Sequence, residues 1–427
     1  MLIEATTQTV YGNVYVVGGN DDVNVGVGVT ITSLGSSPNH DTEYDAITTY
    51  MGQHAFTVSG TINGFDEGIN TIGCESAQTV EITATGRINS GFNSGVVDAD
   101  GVILDGLNST LVNRGVIDAQ GSGAMLSTKE TGTTVVTNYG TIMADKYGIW
   151  VQYSYGTASF FNYGRVESGL GSYLGGNKVD LVTNAGTMVG DIHFGQGNDV
   201  YVSTGGKVIG TIYGEWGDDR FVAGRAADHI DGGDGIDTLD FSAAIRAVKV
   251  DLSNAANYAG LTALHDTYAG IENVAGSALN DVLTGDAQAN LLLGNAGHDV
   301  LVGADGNDTL VGGLGSDTVT GGNGFDTFVF NSINEIGGQI KDYSHNADVI
   351  ALEGSAFGYG DYQGAIDAAD FLIGKRSAVH DATDHFIFRT TDATLWYDAD
   401  GNGGVASVMV ANLNDDANLT FENIVII

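Results

Sequence analysis

In the first half of the chain, apolar residues come in short runs that end at a recurring turn. The turn reads Val58-Ser59-Gly60-Thr61-Ile62, Thr85-Gly86-Arg87-Ile88 and Asn113-Arg114-Gly115-Val116-Ile117. It returns as Asn138-Tyr139-Gly140-Thr141-Ile142, Asn162-Tyr163-Gly164-Arg165-Val166 and Asn184-Ala185-Gly186-Thr187-Met188. Successive glycines are 26, 29, 25, 24 and 22 residues apart. An apolar run, a glycine turn and a second β-rich run at such a period predict one coil of a parallel β-helix per copy. Asparagines at matching positions of successive coils are placed to stack as a ladder and to satisfy turn carbonyls. With Val208 and Ile212 the pattern carries on to about residue 213. Residues 1–57 look different, with the alternation Val-Asn-Val-Gly-Val-Gly-Val-Thr-Ile-Thr and the chain's one proline, Pro38. They are expected to form a β-rich cap or an interaction segment.

The second half has a shorter and stricter period. Six consecutive nonapeptides start at 276, 285, 294, 303, 312 and 321, a shorter block starts at 214, 223 and 232, and an isolated copy starts at 194. In each copy a glycine-rich hexapeptide ending in Asp predicts a turn. The three residues after it, such as Thr309, Leu310 and Val311, predict a short strand, so two copies close one coil of a parallel roll. Glycine at the first, second and fourth positions permits positive φ and leaves carbonyls facing outward. Carbonyl and carboxylate oxygens stacked between turns form an all-oxygen cage, which suits Ca²⁺ better than Mg²⁺ or Zn²⁺. Several calcium ions are expected.

Charge strengthens that expectation. Fifteen Lys and Arg stand against 53 Asp and Glu among 427 residues, a formal net charge of −38. A compact fold so charged repels itself unless counter-ions are bound. The absence of a basic footprint argues against nucleic acid as a partner. Cys74 is the one cysteine, which excludes a disulfide scaffold. No stretch approaches the ~20 apolar residues of a membrane helix. The first basic residue is Arg87, so no Sec-type leader is expected at the start.

The Gly-Gly-x-Gly-x-Asp-x-hydrophobic-x unit is intact at 232, 312 and 321. Here the chain resembles the RTX family of calcium-binding nonapeptide repeats, over roughly 194–427. The resemblance implies a right-handed parallel β-roll with calcium between turns on both edges, export through a type I secretion apparatus, and folding outside the cell. It also makes 241–275 a connecting segment between a first block, 214–240, and a second, 276–330. Residues 331–427 become a small α+β cap, with a helical stretch around Ala365–Gly374 and a C-terminal export signal at Phe421-Glu422-Asn423-Ile424-Val425-Ile426-Ile427. The whole is expected to be all-β, a parallel β-helix over 58–213 followed by the roll.

Turns on one edge of a roll come from alternate copies. Asp281, Asp299 and Asp317 are therefore expected on one edge, and Asn290, Asp308 and Asp326 on the other. Asp199, Asp219 and Asp237 serve the first block, and Asp228 has no matching turn. Gly235, Gly297, Gly306, Gly315 and Gly324 supply fourth-position turn carbonyls. Asn290 lacks charge, and Leu279 and Gln288 replace fourth-position glycines, so weaker sites are expected at the 281 and 290 turns.

No His-Glu-x-x-His and no Gly-x-Ser-x-Gly occurs in the chain, which removes the zinc-protease and lipase arrangements. Asn63-Gly64-Phe65-Asp66-Glu67-Gly68 faintly resembles the site of mannuronan epimerases but lacks the Tyr and His used there for proton transfer. Asp398, Asp400 and Asn402 open like an EF-hand loop, but its twelfth position is Met409, so a turn between strands is expected. Tyr147, Trp150, Tyr153 and Tyr155 are the candidates for contact with a glycan or a partner. The sequence thus favours a secreted, non-enzymatic, calcium-dependent structural or adhesive protein of a bacterial surface that self-associates into a homo-oligomer or a layer, with cell-surface glycan as a second kind of partner. The other reading is a polysaccharide epimerase or lyase.

Overall fold

The computed structural model describes residues 3–4, 8–11, 15–17, 22–34, 45–49, 52–71, 73–74, 76–91, 99–127, 132–152, 156–224, 228–253, 266–374, 384–401, 405–414 and 418–427. Two compact units divide at Asp237 and Thr238.

In the first unit each coil contributes one strand to each of three parallel sheets. Thr133–Asn138, Thr141–Ala144 and Tyr147–Val151 form one coil, and Thr157–Asn162, Arg165–Ser168 and Gly171–Leu174 the next. Pairing is in register, with Val136 opposite Phe160, Ile142 opposite Val166 and Ile149 opposite Tyr173. The same register stacks Phe56, Val80, Leu111, Val136, Phe160, Val182, Tyr201 and Phe221 in one buried column. Alternate residues point outward, as the strand period of two requires.

Glycine at the recurring turn is set by contact between coils. A Cβ on Gly140 would strike the carbonyl oxygen of Gly115, and one on Gly164 would strike that of Gly140. Beside these glycines the asparagines stack: Nδ2 of Asn113 donates to Oδ1 of Asn138 at 2.8 Å, Asn138 to Asn162 at 2.9 Å and Asn162 to Asn184 at 2.9 Å. All four are fully buried.

The segment expected as a separate cap shares these sheets. Val23–Val25 pairs in parallel with Ala55–Val58, Thr30–Leu34 with Thr61–Asn63, and Ile47–Thr49 with Ile69–Asn70. The coil pattern therefore starts well before residue 58. Irregular polar runs between these strands hide the period from the sequence. Pro38 lies outside the described residues.

The second unit is a two-sheet roll. One sheet stacks Asn273–Ala275, Leu291–Leu293, Thr309–Val311, Thr327–Phe330 and Val349–Leu352. The other stacks Lys249–Asp251, Val282–Thr284, Val300–Asp305, Thr318–Asn323 and Gly338–Ile340. Residues 241–275 thus supply sheet strands as well as a connection. Single central residues such as Leu283, Leu292, Leu301 and Leu310 fill the narrow core.

The C-terminal part is β with two single 3₁₀ turns, Ala368–Asp370 and Phe421–Asn423, in place of the α component expected there. The helical pattern read around Ala365–Gly374 resolves into the first of these turns and a strand, Phe371–Gly374. A run this short cannot be assigned by periodicity alone, and its aromatic and β-branched residues favour the strand. Thr394–Tyr397 and Val408–Asn412 are antiparallel, so the Asp398 segment is a turn between strands, as expected. The terminal Ile424–Ile426 pairs with Val349–Leu352 inside the core.

Candidate metal sites

Each nonapeptide turn is built around its sixth-position residue. In the second block the backbone N–H of Asp281 donates to Oδ1 of Asp299 at 2.7 Å, and that of Asp299 to Oδ1 of Asp317 at 2.9 Å. On the other edge Asn290 donates to Asp308 at 2.8 Å and Asp308 to Asp326 at 3.0 Å. In the first block Asp199 donates to Asp219 at 2.7 Å and Asp219 to Asp237 at 2.8 Å. The two edges of the second block therefore hold the residues that alternate copies place there.

The second carboxylate oxygen does something else. Oδ2 of Asp199, Asp219, Asp299, Asp308 and Asp326 is buried and accepts no hydrogen bond from the described residues. Three of these orphans sit beside a carbonyl oxygen of the next coil. A Cβ on Gly303 would collide with Oδ2 of Asp308 and the carbonyl oxygen of Gly321 together. The same holds for Gly214 with Asp219 and Gly232, and for Gly294 with Asp299 and Gly312. The fourth-position glycines Gly197, Gly217, Gly235, Gly297, Gly306, Gly315 and Gly324 have φ between +134° and +151°. They also stack, since a Cβ on Gly324 would strike the carbonyl oxygen of Gly306, and one on Gly315 that of Gly297.

A buried carboxylate oxygen left unsatisfied costs free energy unless a cation or proton meets it. Burial accordingly pushes the Asp199 carboxyl up to about 9, Asp299 to about 7, and Asp219 and Asp308 to about 6. An all-oxygen set with free carboxylates fits Ca²⁺. The 281 and 290 turns differ. Oδ2 of Asp281 accepts from the Ser277 amide at 2.6 Å and its Oδ1 from the Val248 amide at 2.7 Å, while Oδ1 of Asn290 accepts from the Asp286 amide at 2.8 Å. Protein donors already satisfy these two turns. Asp228 is also buried.

The ladders extend beyond the copies visible in the sequence. Asp180 joins the first-block edge, donating its N–H to Oδ1 of Asp199 at 2.6 Å and accepting at Oδ1 from the Ala158 amide. Asp348 joins the second block, accepting from the Asp326 amide at 3.1 Å. Gly175-Gly176-Asn177-Lys178-Val179-Asp180 is a nonapeptide turn with Lys in the fourth position. The Asp348 turn has no glycine at all. The usable signal was an Asp-x-apolar step about one coil from the next Asp.

Of the aromatic candidates, Tyr147 and Trp150 lie half-buried on an outer face with ring centroids 6.2 Å apart. Tyr153 and Tyr155 lie outside the described residues. A more exposed aromatic pair was missed. Tyr139 and Tyr163 occupy the x position of successive Asn-x-Gly turns and stack at 5.0 Å, with the Arg114 guanidinium 4.6 Å over the Tyr139 ring. In the segment compared with epimerases, Asp66 is buried.

A parallel roll whose turns carry stacked aspartates with orphaned oxygens is chemically suited to hold cations between its turns. The family model of the RTX calcium-binding nonapeptide repeat matches residues 211–243, 266–301 and 293–328, and these segments belong to that repeat family. Comparison with curated proteins gives no match. Among solved structures, the extracellular lipase from Serratia marcescens is similar over 70% of this chain at 14% identity, with a TM-score of 0.19. The chain spans 40% of that lipase's length, and a likeness this low carries no argument about activity. No helix of the described residues is long and apolar enough to cross a membrane.

Proposed function

We propose that this is a secreted calcium-binding protein of the bacterial cell surface, structural or adhesive in role, that folds on meeting calcium outside the cell and assembles into a layer or matrix. The carrying observation is the set of buried Oδ2 atoms on Asp199, Asp219, Asp299, Asp308 and Asp326 that find no donor among the described residues. Where calcium is scarce these oxygens oppose folding. Where free calcium is ~100 times the dissociation constant, each site specific to the folded state contributes about 2.7 kcal/mol. The repeat blocks of such a chain stay unset in a calcium-poor cytoplasm, which suits a type I export channel, and set outside.

In this reading residues 58–213 and the coils before them are scaffold. The blocks 214–240 and 276–330 set with calcium, 241–275 connects them, and 331–427 carries the export signal. Self-association is supported by large apolar side chains exposed in the repeat turns, namely Trp216, Ile236, Leu314 and Phe325. Tyr147 and Trp150 are offered as contacts for a cell-surface glycan.

The test is a calcium titration of the full chain followed by circular dichroism and light scattering, with electron microscopy of the end point. Cooperative gain of β-structure followed by large ordered particles is expected. A calcium-loaded chain that remains monomeric overturns the assembly role, and a chain indifferent to calcium overturns the whole reading.

A further inference from the structure

Three carboxylates meet in the first unit, away from every nonapeptide. Asp45 precedes the strand Ile47–Thr49, and Asp66 and Glu67 occupy the turn between Thr61–Asn63 and Ile69–Asn70. One oxygen from each lies within 4.8 Å of the others. The turn is held rigidly, because the amides of Ala46 and Ile47 donate to the carbonyls of Glu67 and Gly68 at 3.0 and 3.2 Å. A Cβ on Gly64 would strike the Glu67 carbonyl, which keeps the turn tight.

Asp45 supplies the observation that points to a ligand. The residue has no exposed surface. Its Oδ2 accepts from Thr48 Oγ1 at 2.9 Å and from Asn70 Nδ2 at 2.8 Å. Its Oδ1 is equally buried and receives no N–H or hydroxyl donor among the described residues, and the Asp45 carboxyl faces that of Glu67 within the cluster. Carboxylates forced together out of water must share a proton or a cation. No lysine or arginine precedes Arg87 in the chain, and the Arg87 guanidinium is bound to Asp118 at 2.7 Å.

We infer that Asp45, Asp66 and Glu67 form a further binding site for a hard divalent cation of the calcium class, built into the early coils and separate from the aspartate ladders. Oxygen ligands lie about 2.3–2.6 Å from calcium, so two oxygens on one ion are at most about 5 Å apart. The cluster falls inside that span. Three carboxylates supply the charge, and water completes the shell on the side of the partly exposed Glu67. The site would pin the Asp45 segment to the next coil, as the ladders pin the later turns.

Bound calcium per full-length chain, counted by equilibrium dialysis with elemental analysis, tests this. Glu67→Gln is expected to bind one ion fewer than the unaltered chain, and Asp299→Asn serves as the comparison for loss at a repeat turn. An unchanged count in a folded Glu67→Gln variant overturns the inference while leaving the repeat sites intact. Should that variant fail to fold, crystals of the unaltered chain grown with Mn²⁺ decide by anomalous scattering. A peak between Asp45, Asp66 and Glu67 is expected, and peaks confined to the repeat edges overturn the site.

Discussion

The backbone N–H of Asp299 is held by Oδ1 of Asp317, one coil away, at 2.9 Å, while the Oδ2 of Asp299 itself has no donor. One carboxylate oxygen is thus structural and the other is free for an ion. Exchanging Asp for Asn separates these roles, because Asn keeps one acceptor and loses the charge.

Asp308→Asn is therefore expected to fold at higher calcium than the unaltered chain. Its Oδ1 remains able to accept from the Asn290 amide, but the charge beside the Gly321 carbonyl is gone. We expect the calcium midpoint of folding, followed by circular dichroism, to rise several-fold. An unshifted midpoint would remove Asp308 from the ligand set.

Protons compete with calcium for the same oxygens. Burial raises the folded-state values of Asp199 to about 9, Asp299 to about 7 and Asp308 to about 6, above the ordinary carboxyl value of about 4 in an unfolded chain. The ion-free folded state therefore holds these protons more tightly. Its stability falls as pH rises from about 4 through these values. In chelator the melting temperature is expected to be higher at pH 5 than at pH 8, and saturating calcium should reverse the order. Scanning calorimetry at both pH values decides it.

Two glycines that both have positive φ are expected to differ in how far they tolerate a methyl group. Gly205, at φ +99°, has open space where a Cβ would stand, whereas a Cβ on Gly324, at φ +146°, would strike the Gly306 carbonyl. Gly205→Ala should cost about 1 kcal/mol of strain alone. Gly324→Ala should cost clearly more, since a coil must shift. Equal losses in urea denaturation would mean that coil contact at Gly324 is unimportant.

Asn138 receives from Asn113 and donates to Asn162 and to the Arg165 carbonyl. Replacing it with alanine takes one buried partner each from the Asn113 amide, which keeps the Thr141 carbonyl, and from the Asn162 oxygen, which keeps the Gly164 amide. A loss of about 1–3 kcal/mol is expected, read from thermal or urea unfolding in saturating calcium. A change of a few tenths would show that the ladder adds little.

Chelation should act locally. Hydrogen exchange is expected to accelerate far more within 276–330, where orphaned oxygens lose their ions, than within 133–168, where Asn138 and Asn162 are satisfied by protein donors and acceptors. Uniform acceleration along the chain would contradict this division.

Much of this was legible in the sequence because coil register converts spacing into contact. Asn113, Asn138, Asn162 and Asn184 stack as their period foretold, and the alternate nonapeptides fell on opposite edges. What escaped were turns that keep the geometry after losing the composition. Lys178 interrupts the copy that ends in Asp180, and the Asp348 turn has no glycine, so only the spacing of Asp and the following apolar residue survives. The contact of Asp45 with Glu67 escaped for another reason: it joins residues 22 positions apart in a stretch whose period is too irregular to read. Tyr139 and Tyr163 were visible as variable turn residues, but their stacking needed the coil rise to be known.

Both ladders have a direction. In each, the earlier coil donates and the later coil accepts: Asn113 to Asn138, Asp180 to Asp199, Asn290 to Asp308, Asp326 to Asp348. A turn's amide is therefore satisfied only once the coil that follows it in the chain is in place. Stacks of this polarity have unlike ends, one where the ladder begins on an acceptor and the other where it ends on a donor. Complete coils are templates of a single handed sense, and order laid down at the later coils is handed back toward the earlier ones.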